Sequence, residues 1–484
     1  MDAATLEAPA VGHSRTPHLA DADGEFISGE GVVVDVLGSH PAGVRTTREQ
    51  LTALLNAELG RLDPLTGQIL NMDVAGMANM LLRDALREHA SDIHLDPLED
   101  GLQIRFRIDG VLHDAAQLTR EEGQRLIRHF KALGGLDPVA SFRPEDTRLT
   151  YVLDERELDV RLACVPCMGG QKLTIRMLER SRVAAQISEL GMGELYLQRI
   201  RQWLTHMSGM FLVTGPTGSG KTTTLYALLH EMKLLDRSIV TIEDPVEYQI
   251  DGITQMQVDN ERGLTFAEGL KAMLRLDPDF LLVGEIRDPV SARTAVEAAV
   301  TGRVLMSTLH SRDPIGTVTA LRQWGMDDHE IASALEVVVS QRLVRRLCPH
   351  CRRPAAPRKD LECWAASLGW SLPERVWRPV GCNACRNIGY RGRTGIFEIW
   401  YLDEEDRDLI LSHAHESTLR RRLKNRPGGV LFADGLARLE SGETSLEELR
   451  VALGDCARLY KEASLSHGAN RGDDGTPAQA EATA

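Results

Sequence analysis

The sequence predicts an α/β fold for the second half of the chain and an α+β fold for the segment before it. From residue 209 onward, short apolar strands alternate with helices, which is typical of a largely parallel sheet. The predicted strands are 210–214, 239–242, 280–283 and 304–309. A glycine-rich segment after the first strand has the composition of a phosphate-binding turn.

The preceding segment, residues 74–182, has a different pattern of apolar and polar residues. Apolar residues recur at helical spacing from 74 to 89, and alternating apolar and polar residues then predict several strands. These strands are predicted at 93–95, 102–108, 149–153, 158–162 and 173–177. The Asp109-Gly110 pair is typical of a tight turn between two strands. Together these features predict a compact α+β domain.

The remaining boundaries follow from composition. Residues 1–30 are rich in Ala, Gly, Pro and Asp and are predicted to be disordered, as is the small, polar tail 463–484. A short segment, 31–73, is predicted to hold a strand at 32–34 and a helix at 48–59. The α/β domain is predicted to span 183–462, with a helical segment at 325–346.

Composition and charge narrow the classes of function. The chain has 484 residues and a net charge of -14, so a broad basic surface for nucleic acid is not expected. No run approaches the roughly 18 apolar residues of a membrane span, and the N-terminus lacks the basic region of a secretory signal. We therefore expect a cytoplasmic protein, with any membrane association made through a partner.

The segment GPTGSGKT at 215–222 matches the phosphate-binding pattern G-x-x-x-x-G-K-[ST], between a predicted strand and a predicted helix. Backbone N–H groups and the helix N-terminus are expected to bind the phosphates of ATP. Lys221 is expected to reach the β- and γ-phosphates, and Thr222 to ligate Mg²⁺. The predicted nucleotide-binding residues are Gly215, Pro216, Thr217, Gly218, Ser219, Gly220, Lys221, Thr222, Thr223 and Glu247.

Three further strand ends carry candidate catalytic residues. Glu243 and Glu247 follow the second strand, where α/β sheets bind ligands, although a solvated acidic turn is an equal alternative. Glu285 follows the strand 280–283 and is the candidate for polarising the attacking water; its alternative role is to cap the next helix. His310 ends the following strand and is a candidate sensor of the γ-phosphate, while a lone histidine there is more often structural.

Four segments resemble the Walker A, aspartate, Walker B and histidine boxes of the secretion-superfamily ATPases. They are GPTGSGKTTTLYALL, TIEDPVEY, LRLDPDFLLVGEIRD and TGRVLMSTLH. The resemblance is to the ATPases of type II secretion and type IV pilus extension, and it runs from about residue 74 to about 449. In the first domain, ASDIHLDP, FRIDGVL and FRPEDTRL resemble the second N-terminal domain of that family.

The resemblance implies a RecA-like P-loop NTPase domain after a PAS-like α+β domain, assembled as a homo-hexamer. It implies a motor that acts on inner-membrane platform proteins, held at the membrane through them, with no direct contact to nucleic acid. Arginines of the N-terminal domain would contact the phosphates, as arginine fingers do. They correspond to Arg161 and Arg176, and less directly to Arg148, although a strand arginine is more often solvated.

Three departures from the family pattern stand out. Arg303 occupies the position after Thr-Gly where the histidine box usually has its first histidine. This chain therefore lacks any role that the first histidine has in the family, whereas His310 is retained. The metal-facing aspartate usual in the Walker B strand is absent, and Gly284 precedes the acid. The short segment before residue 74 also leaves the family's first N-terminal domain truncated or divergent.

Two C-x-x-C knuckles, Cys348 with Cys351 and Cys382 with Cys385, are separated by thirty residues. Two such knuckles provide the four thiolates of a structural Zn²⁺ site, which is common in the type II and pilus-extension ATPases; the alternative is four free thiols. The intervening segment, 357–381, is expected to protrude. A lone C-x-x-C at 164–167 is expected to be a pair of ordinary reduced cysteines.

Two other functions remain open from the sequence. One is an ATP-binding switch without useful turnover, against which the intact Lys221 and Glu285 argue. The other is a DNA-uptake or conjugation motor, which the acidic balance disfavours. A pilus-retraction motor is a further alternative that the cysteine quartet disfavours.

Overall fold

The computed structural model describes residues 27–28, 31–35, 74–139, 141–179, 186–205, 208–233, 235, 237–426 and 430–454. The chain divides into two compact units, residues 1–180 and 181–484, each with its own large sheet. The predicted helix at 48–59, the predicted disordered tail and most of 1–30 lie outside the described residues.

The first unit contains an eight-stranded sheet in the order β1-β2-β6-β7-β8-β3-β4-β5. Its strands are β1 (Ile27–Ser28), β2 (Gly31–Asp35), β3 (Ala90–Pro97), β4 (Gly101–Ile108), β5 (Val111–Thr119), β6 (Glu145–Leu153), β7 (Arg156–Cys167) and β8 (Gly170–Glu179). Its helices are α1 (Val74–Arg87) and α2 (Arg120–Leu133). Neighbouring strands are antiparallel except β2 and β6.

Local signals in the sequence explain these elements. Asp109 and Gly110 both have positive φ, 49° and 87°, and close β4 and β5 as a two-residue hairpin, which confirms the predicted turn. Thr119 caps α2, because its side chain accepts a hydrogen bond from the Glu122 N–H and the Glu122 carboxylate accepts one in return. Leu81 and Phe130 of the helices share one core with the inward face of the sheet.

The second unit contains a seven-stranded sheet in the order β11-β10-β12-β13-β9-β14-β17. Its strands are β9 (Gly209–Thr214), β10 (Ile239–Glu243), β11 (Thr254–Gln257), β12 (Phe280–Val283), β13 (Val304–Leu309), β14 (Leu335–Leu347) and β17 (Tyr390–Tyr401). All neighbours are parallel except β14 and β17. The short strands β15 (Arg353–Ala355) and β16 (Val376–Arg378) form a separate pair.

Helices cover both faces of this sheet. They are α3 (Glu194–Leu204), α4 (Lys221–Lys233), α5 (Phe266–Met273), α6 (Pro289–Val300), α7 (Ile315–Gln323), α8 (Asp328–Ala334), α9 (Lys359–Ser367), α10 (Glu404–Leu411), α11 (Glu416–Lys424), α12 (Leu431–Glu440) and α13 (Leu446–Leu453). Within β9, Met210 and Leu212 pack into one core and Phe211 and Val213 into the other. Burial on both faces explains the continuous apolar runs and confirms the predicted α/β fold.

The helix predicted at 325–346 is wrong for most of its length. Residues 328–334 form α8, and the chain then continues as β14, a 13-residue strand between β9 and β17. Val337, Val338 and Val339 are all buried, because this strand is central and covered on both faces. A strand buried on both sides has no alternating pattern, so periodicity alone does not distinguish it from a buried helix.

Among the described helices, none is both long and apolar enough to cross a membrane.

Candidate active site and metal centre

The glycine-rich loop lies between the end of β9 and the start of α4, as the sequence predicts. Gly218 and Gly220 have positive φ, and a Cβ atom on Gly215 would lie 2.6 Å from the carbonyl oxygen of Gln341. These backbone conformations and the close approach of β14 favour glycine in the loop, which lets it curve tightly into a cradle. Because α4 begins at Lys221, its free N–H groups and its partial positive charge lie at this cradle. The cradle thus fits the phosphates of a nucleotide.

Lys221 is folded back onto its own loop. Its Nζ donates hydrogen bonds to the carbonyl oxygens of Gly215 at 2.9 Å and Pro216 at 3.2 Å. Burial, together with the nearby charge of Arg342, lowers the pKa of Lys221 to about 8. A phosphate group would give this ammonium a negatively charged partner. The ligand would therefore compete with the two carbonyl oxygens for the hydrogen bonds of Lys221.

Two residues of β14 fix the loop from the adjacent strand. The Gln341 amide donates to the Ser219 carbonyl oxygen at 2.7 Å and accepts from the Thr224 hydroxyl at 2.8 Å. The Arg342 guanidinium donates to the carbonyl oxygens of Gln341 and Arg312. Sequence reasoning missed both residues because it assigned this segment to a helix. The sequence signal that could have identified them is a polar stretch, residues 340–342, directly after three consecutive valines.

The loop opens onto a cavity of about 470 Å³ in the second unit. Its lining residues come from the loop, the end of β13, β14 and α13, and they are Gly215, Pro216, Thr217, Gly218, Ser219, His310, Ser311, Arg312, Arg342, Leu343, Val451 and Ala452. The volume lies in the range of roughly 300–1,000 Å³ usual for small-molecule sites. The hydroxyl oxygen of Ser219 is buried and has no hydrogen-bond partner, which leaves a polar atom in the loop to be satisfied by a ligand.

Glu285 and His310 meet beside this loop. The Glu285 carboxylate contacts the Arg287 guanidinium, and its other oxygen lies 3.4 Å from the His310 Nε2 atom. Burial and the charges of Lys221 and Arg287 lower the pKa of His310, so the imidazole is neutral at neutral pH. The His310–Glu285 contact is therefore one between a neutral ring and a carboxylate, and not an ion pair. Glu285 thus lies just after β12, beside His310, where a carboxylate can accept a hydrogen bond from a water molecule.

Gly284 allows the ends of β10 and β12 to approach closely. A Cβ atom at this position would lie 3.3 Å from the Cα atom of Glu243. The Thr308 hydroxyl at the end of β13 donates to the Gly284 carbonyl oxygen at 2.8 Å, and the Ile286 N–H donates to the Thr308 carbonyl oxygen at 3.0 Å. These bonds fix the strand end that carries Glu285.

Glu243 is buried, with 3% of its surface exposed. Its carboxylate accepts hydrogen bonds from the hydroxyls of Thr241 (2.6 Å) and Tyr226 and from the Gln255 amide (3.2 Å). Burial raises the pKa of Glu243 despite these donors. The Tyr226 hydroxyl also accepts a hydrogen bond from the Glu247 N–H at 3.0 Å. The two predicted acids are thus both tied to α4, and their part in the chemistry remains a prediction.

The predicted magnesium ligand, Thr222, is exposed in the first turn of α4, as is its neighbour Thr223. A hydroxyl at this position, directly after the loop lysine, is available to a metal ion bound with the phosphates.

The arginines predicted from the resemblance lie in one row of the first unit's sheet. Arg148 of β6 pairs in register with Arg161 of β7, and Arg161 pairs with Arg176 of β8. On the next strand, the Asp92 carboxylate accepts a hydrogen bond from Arg176 at 2.8 Å. Since register partners project from the same face of a sheet, the row presents several guanidinium groups together.

The four cysteines of the two knuckles converge, as the sequence predicts. The sulfur atoms of Cys348, Cys351, Cys382 and Cys385 all lie within 4.8 Å of one another. The sulfur–sulfur distances are 3.9 Å for Cys348–Cys382, 3.7 Å for Cys351–Cys385 and 3.8 Å for Cys382–Cys385. Four thiolates placed tetrahedrally at about 2.3 Å from Zn²⁺ would be about 3.8 Å apart. The sulfur spacing therefore fits a closed zinc site.

The segment between the knuckles packs against the unit, and the expectation that it protrudes is wrong. Trp370 stacks on Phe432 of α12, with ring centroids 3.5 Å apart and planes 9° apart. Trp364 and Leu361 join the same cluster, which also contains Val344 of β14. The two tryptophan side chains therefore pack against other apolar side chains, whereas in a protruding segment they would be exposed to water.

The third C-x-x-C motif does not converge. Cys164 is buried and Cys167 is exposed, both as free thiols on β7. Residues three apart on a strand project to opposite faces, so the two sulfur atoms diverge.

Comparison with known proteins places this geometry in a family. The family described as "Type II/IV secretion system protein" matches residues 71–451. The type II secretion system protein E of Aeromonas hydrophila is 41% identical over 380 residues, which cover 78% of this chain and 75% of that protein. The type II secretion system ATPase E of Vibrio cholerae is 40% identical over 373 residues, covering 77% and 74%.

Two solved structures share the fold. The ATPase DotB of Legionella pneumophila aligns with a TM-score of 0.59 and 21% identity, over 82% of this chain and all of that one. The pilus retraction motor PilT with bound ADP aligns with a TM-score of 0.52 and 23% identity, over 77% and 96%. Both likenesses support the predicted RecA-like fold class.

Proposed function

The chain belongs to the type II/IV secretion system protein family, and on this premise we propose that it is a Mg²⁺-dependent ATPase that powers type II protein secretion or type IV pilus assembly. The observation that carries the proposal is the arrangement of Lys221, Glu285 and His310 around the phosphate-binding loop. Lys221 is a cation whose hydrogen bonds go to two carbonyl oxygens of the loop. Glu285 is a carboxylate in contact with His310, which lines the same cavity as the loop.

Substrate binding begins with the loop. The backbone N–H groups of the loop and of the first turn of α4 bind the phosphates, and Lys221 exchanges the carbonyl oxygens of Gly215 and Pro216 for phosphate oxygens. The Thr222 hydroxyl would be a ligand of Mg²⁺, and that ion would neutralise charge on the phosphates. Ser219 gains a partner for its buried hydroxyl.

Hydrolysis needs a group that orients the attacking water. Glu285 accepts a hydrogen bond from that water, and the contacts with Arg287 and His310 hold its carboxylate in place. The neutral His310 adds no positive charge at this carboxylate, so the cation in contact with Glu285 is Arg287. Glu243 and Glu247 stabilise the strand end that completes the site.

The finer parts of the proposal come from family membership. Arg161 and Arg176 contact the phosphates and stabilise charge in the transition state. The chain works as a homo-hexamer, is held at the inner membrane by platform proteins, and makes no direct contact with nucleic acid. A Zn²⁺ ion held by the cysteine cluster would be structural, because four thiolate ligands would leave no open position for water.

Steady-state hydrolysis and nucleotide binding, measured on the same variants, test this proposal. We expect Glu285→Gln to bind Mg·ADP like the wild type while its turnover falls at least about 100-fold. Lys221→Ala should lose both binding and turnover. Glu297→Gln is the matched control, because Glu297 is exposed on α6 and makes the same chemical change away from the cavity.

Full turnover in Lys221→Ala would refute the proposal. Nucleotide binding with equal, near-zero rates in the wild type and Glu285→Gln would instead favour an ATP-binding switch.

A further inference from the structure

The nucleotide cavity has an apolar wall that no sequence motif marks. Leu343 of β14 and Val451 and Ala452 of α13 line it together with the phosphate-binding loop. Phosphates find their donors at the loop, whereas the faces of a nucleotide base are largely apolar and favour apolar or aromatic surfaces. The cavity thus offers two chemically distinct regions, as a nucleoside polyphosphate requires.

The orientation of α13 brings Val451 into this position. Leu446, Leu449 and Leu453 are buried in the cluster behind the helix, so the opposite side of the helix carries Val451. The valine is 81% exposed although it lines the cavity. Covering it with a ligand would remove apolar surface from water, which is favourable at about 25 cal/mol per Å².

The wall is held rigidly relative to the loop. The Glu448 carboxylate of α13 accepts hydrogen bonds from the Arg345 guanidinium at 2.6 Å and the Arg345 N–H at 3.1 Å. Four residues earlier on the same strand, Gln341 donates to the Ser219 carbonyl oxygen in the loop. One strand therefore fixes both the phosphate-binding loop and the helix that carries the wall.

A second contact pins the start of α13. The Ser445 hydroxyl is hydrogen bonded to the Tyr390 hydroxyl at 2.8 Å and accepts from the Glu448 N–H as the cap of the helix. A wall pinned in this way is pre-organised, so little ordering cost is added when a ligand binds.

We propose that Leu343, Val451 and Ala452 form the subsite for the nucleotide base, which makes α13 a specificity-determining part of the ATP site. The inference rests on the proposed function, since it assumes that the loop binds the phosphates of the same ligand. Val451 is its most accessible member, because Leu343 also packs near Gly220 of the loop.

Calorimetric titration of the full-length chain with two probes tests the subsite. Mg·ADP carries a base, and magnesium tripolyphosphate carries phosphates alone. We expect Val451→Asn to raise the Kd for Mg·ADP roughly fivefold, because a polar amide replaces the apolar contact, and to leave tripolyphosphate binding unchanged. The substitution adds no charge at an exposed position. Thermal unfolding, measured on the same samples, shows whether the variant is folded.

The matched control is Val300→Asn, a valine that is 53% exposed at the end of α6 and does not line the cavity. It should change binding of neither probe. Wild-type affinity for Mg·ADP in Val451→Asn, or an equal loss of both probes, would overturn the subsite while leaving the proposed function intact. Failure of the wild type to bind either probe would overturn the proposed function itself.

Discussion

The phosphate-binding loop and the tetracysteine cluster both gather ligand atoms on tight turns, but they hold those atoms differently. In the cluster, the four sulfur atoms lie within 4.8 Å of one another, and the N–H groups of Gly381 and Gly389 donate to two of them. In the loop, Lys221 is bonded to carbonyl oxygens that a phosphate must displace. The difference indicates that the cluster is arranged to keep its ligand and the loop to exchange one.

The largest expected effect tests the permanence of the cluster. Cys382→Ser removes one of four thiolates, so we expect loss of bound Zn²⁺ and a fall of several kcal/mol in the stability of the second unit. The fall should be large because the segment between the knuckles carries Trp370, which packs on Phe432 of α12. Elemental analysis and thermal unfolding measure the two quantities.

Cys363→Ser provides the control for this prediction. Cys363 is exposed on α9, between the two knuckles, and is not one of the converging cysteines. It should retain zinc and wild-type stability. A metal-free wild-type protein with unchanged unfolding in Cys382→Ser would show that the cluster holds free thiols.

The next prediction concerns what holds the loop in place while its ligand changes. Gln341→Leu leaves the Ser219 carbonyl oxygen and the Thr224 hydroxyl without their partner, in a buried position. We expect a loss of about 2–3 kcal/mol in stability and a weaker affinity for Mg·ADP. Denaturant unfolding and calorimetry measure these effects.

Gln198→Leu is the matched substitution, because Gln198 is exposed on α3 and its amide bonds to Glu194 at 3.4 Å. It should alter stability by less than about 0.5 kcal/mol. An equally small effect in Gln341→Leu would mean that the loop keeps its shape without β14.

The same two regions show what sequence could and could not supply. The loop is one short segment and each cysteine knuckle is another, and each residue type has a direct chemical reason, so both motifs could be predicted from the sequence. The contribution of Gln341 could not, because it depends on β14 lying beside β9. A strand buried on both faces has no periodicity that identifies it.

The roles of residues that are brought together by contacts between distant parts of the chain could not be predicted from the sequence either. Val451 lies 230 residues after Lys221, and only the packing of α13 on β14 brings it to the cavity. The row of Arg148, Arg161 and Arg176 required the register of three strands, although the resemblance had singled out each arginine. The chemical roles of residues within short motifs were therefore predictable, whereas the contacts that residues make across the sheet were not.

An exchanging site should respond to pH through Lys221. Its pKa of about 8 in the ligand-free protein is below the usual lysine value, and bound phosphates would raise it because they favour the charged form. Below about pH 7 the ammonium is already charged, so this group adds no pH dependence. Above about pH 8 binding takes up a proton, and the Kd for Mg·ADP should rise by up to about tenfold per pH unit.

Calorimetry from about pH 6.5 to 9.5, in buffers of different ionisation enthalpy, measures both the affinity and the proton uptake. Lys221→Arg is the control, because a guanidinium stays charged across this range and should give a flat profile. A flat profile in the wild type would mean that the lysine is already fully charged in the empty loop.

The smallest expected effect concerns the buried acid that lies behind the exchanging site. Tyr226→Phe removes a hydrogen bond to the Glu243 carboxylate and leaves the Glu247 N–H without its acceptor. We expect a loss of about 1 kcal/mol in stability and a further rise in the pKa of Glu243, because the phenol donor lowers that pKa. Tyr248→Phe is the matched change, since it also removes one phenol hydroxyl, which is hydrogen bonded to His230 at 3.1 Å. If both variants lose the same stability and the same ATPase activity, Glu243 is an ordinary buried acid; if Tyr226→Phe alone lowers turnover, the network between α4 and β10 positions the site as well as stabilising it.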